Sequence, residues 1–201
     1  MNNTKYDLLI TGIGGQGNIL AGDVVCEVAV ESGLDVKKTD TLGMAQRGGS
    51  VISHIRIAPK VYAPLIKEGE VDILAGFEKL EAVRWANYLK PGGIAIINNF
   101  AQPPLSVNLG TEHYPSDKEI IEILKQRTDR IYIVDGTRLV TGLGNIKTLN
   151  IFMLGGIAHF LPFKVEDWQT KIKAHLPPKL HEINTQAFSL GMEEINRVHV
   201  G

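Results

Sequence analysis

The reading of the fold is decided by Leu8-Leu9-Ile10-Thr11-Gly12-Ile13-Gly14-Gly15-Gln16-Gly17-Asn18-Ile19-Leu20-Ala21-Gly22, where a short apolar run passes through clustered glycines into a long amphipathic one. Residues 6–11 read as a buried strand. Residues 18–31 carry Ile19, Val24, Val25 and Val28 at helical spacing, so the glycines sit where a first strand becomes a first helix. Gly12, Gly14 and Gly17 fit G-x-G-x-x-G. Glycine permits positive φ and close backbone approach, while the free N–H groups and positive dipole end of a helix suit an anion. Two readings stay open: a turn that binds phosphate, or a tight strand-to-helix turn in which the last glycine only lets helix and strand pack closely.

Working outward, residues 36–39 form a second strand candidate, followed by the loop Thr41-Leu42-Gly43-Met44-Ala45-Gln46-Arg47-Gly48-Gly49-Ser50. One arginine between a glutamine and two glycines suits the holding of a carboxylate or phosphate by side-chain and backbone donors together, and equally suits a solvated connection. Val51 to Ile57 alternates as a half-covered strand does, with Ile52, His54 and Arg56 on one face; His54 reads as a structural or edge residue. Residues 61–70 form a loop around Pro64, and residues 71–77 another buried strand. Residues 78–89 read as a helix stopped by Pro91-Gly92-Gly93, and residues 94–98 as the next strand. Residues 116–126 read as a helix opened by a Ser116/Glu119 capping box. Residues 130–135 are the last clear strand.

From Gly136 the chain turns helical, through an apolar segment at 148–161 that contains Gly155-Gly156, and then through residues 165–175 and 179–197. The helix with Phe152, Met153, Leu154, Ile157 and Phe160 is either core or an apolar face for a partner, which would favour self-association of the isolated chain. The predicted fold class is α/β: a Rossmann-like, mostly parallel sheet flanked by helices, in one domain over residues 1–201 with a helical section from about residue 136. In such sheets ligands settle at the carboxyl ends of the strands. The Gly12 to Gly17 turn, the Gln46 to Gly49 loop, Phe77-Glu78 and Asn98-Asn99 are all expected at that edge.

A composition of 44% hydrophobic and 21% charged residues is ordinary for a globular protein, and a net charge of −1 gives no electrostatic case for nucleic acid. No apolar run approaches the ~18–20 residues of a membrane span, and the first residues lack the apolar core of a signal peptide, so a cytoplasmic protein is expected. The single cysteine, Cys26, lies in the first helix pattern; it excludes a disulfide or an iron–sulfur ligand set within this chain and reads as a small buried apolar residue. There is no G-x-S-x-G, H-E-x-x-H, Walker A loop or histidine pair at ligand spacing. No catalytic or metal-binding residue is therefore assigned. A phosphate-friendly fold without catalytic machinery is a carrier of a cofactor or one piece of a larger enzyme.

The glycine turn, followed downstream by Gly43-Met44-Ala45-Gln46-Arg47-Gly48-Gly49-Ser50-Val51-Ile52-Ser53-His54-Ile55-Arg56, resembles the gamma-type subunits of the 2-oxoacid:ferredoxin oxidoreductases. Phe77-Glu78-Lys79-Leu80-Glu81-Ala82, Leu89-Lys90-Pro91-Gly92-Gly93, Gln102-Pro103-Pro104, Gly144-Asn145 with Asn150, Leu154-Gly155, and Pro177-Pro178-Lys179 with Asn184 and Ala187-Phe188 are similar to the beta subunits of the indolepyruvate:ferredoxin oxidoreductases. The resemblance implies the small subunit of an enzyme that oxidatively decarboxylates arylpyruvates to acyl-coenzyme A and passes electrons to ferredoxin. It implies that thiamine diphosphate and iron–sulfur clusters belong to a larger partner subunit, and that coenzyme A is a co-substrate. Gly12, Gly14, Gly15, Gln16, Gly17, Gln46, Arg47, Gly48 and Gly49 would face the substrate, the coenzyme or the partner, with Arg47 receiving an anionic group. The alternatives are a self-sufficient NAD- or flavin-binding oxidoreductase with Asp40 as ribose ligand, a methyltransferase-like module suggested by Leu89-Lys90-Pro91-Gly92-Gly93, and a purely structural assembly subunit.

Overall fold

The computed structural model describes residues 5–43 and 48–198. In chain order the elements are β1 (Tyr6–Ile13), α1 (Asn18–Glu31), β2 (Asp35–Leu42), β3 (Ser50–Ala58), β4 (Val71–Gly76), α2 (Lys79–Arg84), β5 (Leu89–Asn98), α3 (Leu105–Asn108), α4 (Asp117–Lys125), β6 (Ile131–Val134), α5 (Gly136–Gly142), α6 (Leu149–Ala158), α7 (Val165–Ala174) and α8 (His181–Ile195). Short 3₁₀ turns at Ala86–Tyr88, Ile146–Thr148 and Pro178–Leu180 join them. The strands form one sheet in the order β2-β3-β1-β4-β5-β6. β1, β4, β5 and β6 pair in parallel, whereas β3 pairs antiparallel with both β1 and β2. The sheet is thus mostly parallel, as expected, with β3 reversed between β1 and β2.

Side chains alternate across the sheet with period two and feed two separate cores. Leu8, Ile10, Ile55, Ile73 and Ile96 pack against α1, α6 and α8. Leu9, Ile52, Leu74, Ala95 and Ile97 pack against Ala82 of α2 and Ile120 and Leu124 of α4. The β3 segment is consequently covered on both faces, not half-covered: Val51 through Ile55 are all buried. Every residue of α6 is buried, so the apolar helix is core, and the reason for expecting self-association through it falls away. It lies between Ile96 of the sheet and Ile195 of α8.

The region after Glu78 departs from the expected long helix. Glu78 caps α2 by accepting the Glu81 N–H at 2.8 Å, but α2 ends at Arg84 and the chain enters β5 at Leu89, paired with Val71. Pro91, Gly92 and Gly93 therefore lie inside β5, where the register with β4 shifts. An irregularity of this kind tolerates a residue without an N–H, which is why the same residues read from sequence as a helix stop. The capping box of α4 is present as expected: Ser116 accepts from the Glu119 N–H, and the Glu119 side chain accepts from the Ser116 N–H at 2.8 Å. The hydroxyl and amide of Ser116 hold the Glu119 carboxyl down at about 2.

His54 is a structural residue. Its Nδ1 accepts the Ile66 N–H at 3.4 Å and its ring meets Trp85 and Tyr88 edge-on, with centroids 6.0 and 5.8 Å apart. Burial holds its pKa below the ordinary 6.5. As the pH falls through 6.5 the unfolded chain takes up a proton that the folded chain refuses, so stability falls in that direction. Unfolding free energies measured at neutral pH and one to two units below 6.5 should differ more in the native protein than in His54→Phe; equal differences would show that His54 ionisation is not linked to folding.

Candidate functional site at the carboxyl edge

The glycine turn and the second glycine loop meet, although the chain runs through α1 and β2 between them. The Gly14 N–H donates to the Gly49 carbonyl at 2.8 Å and the Gly48 N–H to the Gly14 carbonyl at 3.4 Å. This lacing follows from the antiparallel pairing of β3 with β1, whose register puts Ser50 opposite Ile13. Ser50 is in turn anchored to α2, its hydroxyl donating to Glu81 at 2.5 Å. Gly48 and Gly49 therefore lie where the sequence suggests; Gln46 and Arg47 lie outside the described residues.

Gln16 ties the turn to the strand ends. Its Oε1 accepts the Ile13 N–H at 2.9 Å and its Nε2 donates to the Phe77 carbonyl at 3.0 Å. The same carbonyl accepts from Asn98 Nδ2 at 3.0 Å, so the ends of β1, β4 and β5 are joined through two amides. The expected gathering of Phe77-Glu78 and Asn98 beside the glycines is thereby observed. Gly12 must be glycine: a Cβ there would stand 2.5 Å from Asn18 Nδ2 and 2.9 Å from Phe77 Cβ. Gly17 caps α1 in the left-handed region at φ 80°, and Gly15, at φ +102°, faces open space.

Electrostatically the turn is positive. The N–H groups of Gly15, Gly17, Asn18, Ile19 and Leu20 have no acceptor among the described residues, and the first turn of α1 carries no acidic residue. Asn18 is only 2% exposed, and neither its Oδ1 nor its Nδ2 has a partner. Two cavities flank the turn. One, of about 410 Å³, is lined by the turn with Phe100, Gln102, Thr137, Ile146, Lys147 and Leu149. The other, of about 510 Å³, is lined by the turn with Asn18, Ile19, Leu42, Gly43 and Val51. Exposed apolar side chains Ile19, Leu42 and Ile146 rim these cavities, and Leu105 and Leu109 are exposed on the connection that leaves β5.

Sequence reasoning missed Glu78 as a hub and Lys147 as a neighbour of the turn. Buried Glu78 accepts the Gln102 N–H at 3.0 Å and the Tyr114 hydroxyl at 2.5 Å, besides capping α2. Burial and the bond to Glu78 push the Tyr114 hydroxyl pKa well above its ordinary value. Glu78 thus fixes the connection after β5 against the sheet edge. Its only local signal is the spacing to Glu81, which marks a helix cap.

The ribose-ligand alternative for Asp40 does not fit this sheet. β3 separates β2 from β1, and the Asp40 carboxylate is held by the Ser53 hydroxyl at 2.5 Å and Lys38 at 2.9 Å. Cys26 is partly buried, and burial pushes its thiol up to about 12, which leaves it unreactive. Among the described residues no group of three or more His, Cys, Asp or Glu is placed to hold a metal ion, and no helix is long and apolar enough to cross a membrane.

Fold and site together define an α/β domain that offers backbone amides at the first strand-to-helix turn of a mixed sheet, with no cysteine, histidine, aspartate or glutamate among the described residues lining the cavities. The chain belongs to the pyruvate ferredoxin/flavodoxin oxidoreductase family, whose sequence model matches residues 7–194. It is 34% identical over 192 residues to the indolepyruvate oxidoreductase subunit IorB of Pyrococcus horikoshii, covering 94% of this chain and 95% of the relative. The fold is similar to the gamma subunit of a keto/oxoacid ferredoxin oxidoreductase from Geobacter sulfurreducens, with a TM-score of 0.71, 22% identity, and coverage of 96% of this chain and 99% of that one. It is also similar to part of the 2-oxoglutarate:ferredoxin oxidoreductase of Magnetococcus marinus, whose structure contains 2-oxoglutarate, coenzyme A and succinyl-CoA. Here the TM-score is 0.78 at 16% identity, with 100% of this chain and 32% of that chain covered.

Proposed function

We propose that this chain is the small subunit of a thiamine diphosphate-dependent 2-oxoacid:ferredoxin oxidoreductase that acts on indolepyruvate or another arylpyruvate. It releases carbon dioxide, forms the acyl-coenzyme A and passes electrons to ferredoxin. The observation that carries the reading is the relation, along almost the whole chain, to an indolepyruvate oxidoreductase subunit, joined to an edge that offers backbone amides and, among the described residues lining its cavities, no cysteine, histidine or carboxylate. The residues here do not fit the redox groups of such an enzyme: one cysteine cannot ligate an iron–sulfur cluster. Those clusters and thiamine diphosphate belong to the larger subunit. This chain contributes the glycine turn, its laced second loop and the apolar rim, which close the coenzyme A and substrate entrance against that partner. The observation that Magnetococcus marinus carries this fold as a third of a longer chain supports such a packing.

The test is anaerobic affinity purification of the chain from its native cell, followed by an assay of arylpyruvate- and coenzyme A-dependent reduction of a viologen dye. A co-eluting brown, larger subunit with that activity is expected. A colourless chain that elutes alone and binds NAD or FAD tightly would overturn the reading. In the assembled enzyme Arg47→Ala is expected to raise KM for coenzyme A or the 2-oxo acid about tenfold, the range of one charge-assisted hydrogen bond, with assembly intact. Loss of assembly instead would make Arg47 an interface residue that pairs with the partner.

A further inference from the structure

We propose that the free edge of β2 is where two copies of this chain join, pairing antiparallel about a two-fold axis at Thr39 and running their two six-stranded sheets into one. β2 ends the sheet, with β3 on its inner side. The Gly43 N–H donates to the Ser50 carbonyl at 2.7 Å. The odd-numbered residues of β2 therefore bond inward to β3, and Val36, Lys38, Asp40 and Leu42 turn their backbone groups outward. The N–H groups of Lys38, Asp40 and Leu42 have no acceptor among the described residues. An open edge of eight residues is a template for a further strand.

The sequence of β2 is complementary to itself in one register. Antiparallel pairing about a two-fold axis sets residues of equal parity opposite each other. With the axis at Thr39, Lys38 faces Asp40 of the second copy, Val36 faces Leu42, and Thr39 faces Thr39, each a favourable cross-strand pair. Moving the axis one residue either way sets Lys38 on Lys38 or Asp40 on Asp40, like charges directly opposed. Edge charges that repel most strands thus select one. The carboxylate is already positioned, since Ser53 donates to Asp40 at 2.5 Å and Lys38 lies 2.9 Å from it. The apolar pair also fits in depth. Leu42 is 60% exposed, and beside Val36 lies a hollow of about 360 Å³ whose apolar wall is Cys26, Val30 and Val36. Leu42 of the second copy, opposite Val36 on the same face, closes it. Leu42 then belongs to this pair, while Ile19, Ile146, Leu105 and Leu109 stay exposed for a different partner. Because every contact is repeated by the two-fold axis, the assembly stops at two copies.

Sedimentation velocity of the purified chain is expected to show a concentration-dependent species of twice the 22.0 kDa chain mass. Asp40→Lys, which sets like charges across both symmetric pairs, should raise the dissociation constant about tenfold. That change also removes the Ser53 and Lys38 contacts, so cysteine variants give an independent readout. Residues opposed at the axis form a non-hydrogen-bonded pair with Cα atoms about 4.5 Å apart, within reach of a disulfide. Mild oxidation should therefore link Thr39→Cys into a covalent dimer on a denaturing gel. Lys37→Cys, whose counterpart is roughly 13 Å further along the strand, and the wild-type chain with its unreactive Cys26 should stay unlinked. A wild-type chain that sediments as a monomer at every concentration would overturn the proposal. A dimer that Thr39→Cys fails to link, or linking of Lys37→Cys just as readily, would also overturn it, by moving the contact to another surface or another register. None of these results bears on the small-subunit reading.

Discussion

Gly191→Ala is expected to lower the midpoint of thermal unfolding by roughly 2–12 °C, from an overpacking cost of about 1–3 kcal/mol in a chain of this size. The α6 and α8 helices cross in backbone contact at two glycines. A Cβ on Gly191 would stand 1.9 Å from the Phe152 carbonyl oxygen and 2.8 Å from its carbon, and a Cβ on Gly155 would stand 2.1 Å from the Phe188 carbonyl oxygen. These neighbours are main chain, so no rotamer change relieves the overlap and the helices must move apart. Because α6 is buried along its whole length, separation on the α8 side opens gaps that the close-packed core cannot refill. Gly142→Ala is the control: a Cβ there meets nothing within 4 Å, and the change should stay within about 0.5 kcal/mol of wild type. Circular dichroism melts of both variants decide the matter. If Gly191→Ala melts with the native protein, the two helices do not meet through their backbones.

The second large effect belongs to the opposite end of the sheet. Asp7, with a side chain 0% exposed, holds Arg56 through two bonds, Nε to Oδ1 at 2.9 Å and Nη2 to Oδ2 at 3.1 Å. Lys5 adds a 2.9 Å contact from the surface, and the Arg56 Nη1 donates to the Leu65 carbonyl at 3.1 Å. Asp7 and Arg56 face each other across β1 and β3 in the register that also brings Gly48 and Gly49 to the turn. Removing the arginine leaves a buried carboxylate that, among the described residues, has Lys5 alone to compensate it. Arg56→Leu should therefore destabilise by about 3 kcal/mol or more, measured by denaturant unfolding. The double variant Asp7→Leu/Arg56→Leu should recover a substantial part of that loss, because the uncompensated charge is gone. An Arg56→Leu protein as stable as wild type would show that Lys5 and solvent suffice for Asp7. The pair fixes the β1–β3 register, and a slip by one residue would turn the glycine lacing to the wrong face.

What the sequence determined by itself is what depends on neighbours along the chain. The run from Leu8 to Gly22 specified a strand, a glycine turn and a helix because period-two and helical apolar spacing are local properties and glycine allows the required φ. The capping box of Ser116 and Glu119 was legible for the same reason. The likeness of the two glycine motifs to one oxidoreductase family was legible as well, and the family match bears it out. Local patterns were ambiguous wherever two environments demand the same composition. Pro91-Gly92-Gly93 suits a helix stop and an irregular strand alike, and an apolar α6 suits a core helix as well as an interface. Only the tertiary structure decided these, through the pairing of Leu89 with Val71 and the backbone contact of α6 with α8. It also decided which distant residues share the site. The reversal of β3 carried Gly49 to Gly14 and placed Asp40 a strand away from the glycines. The return of the chain after β6 set Lys147 beside a turn more than a hundred residues earlier. Such meetings depend on strand order and on packing across the sheet, which leave no local periodicity for the sequence to display.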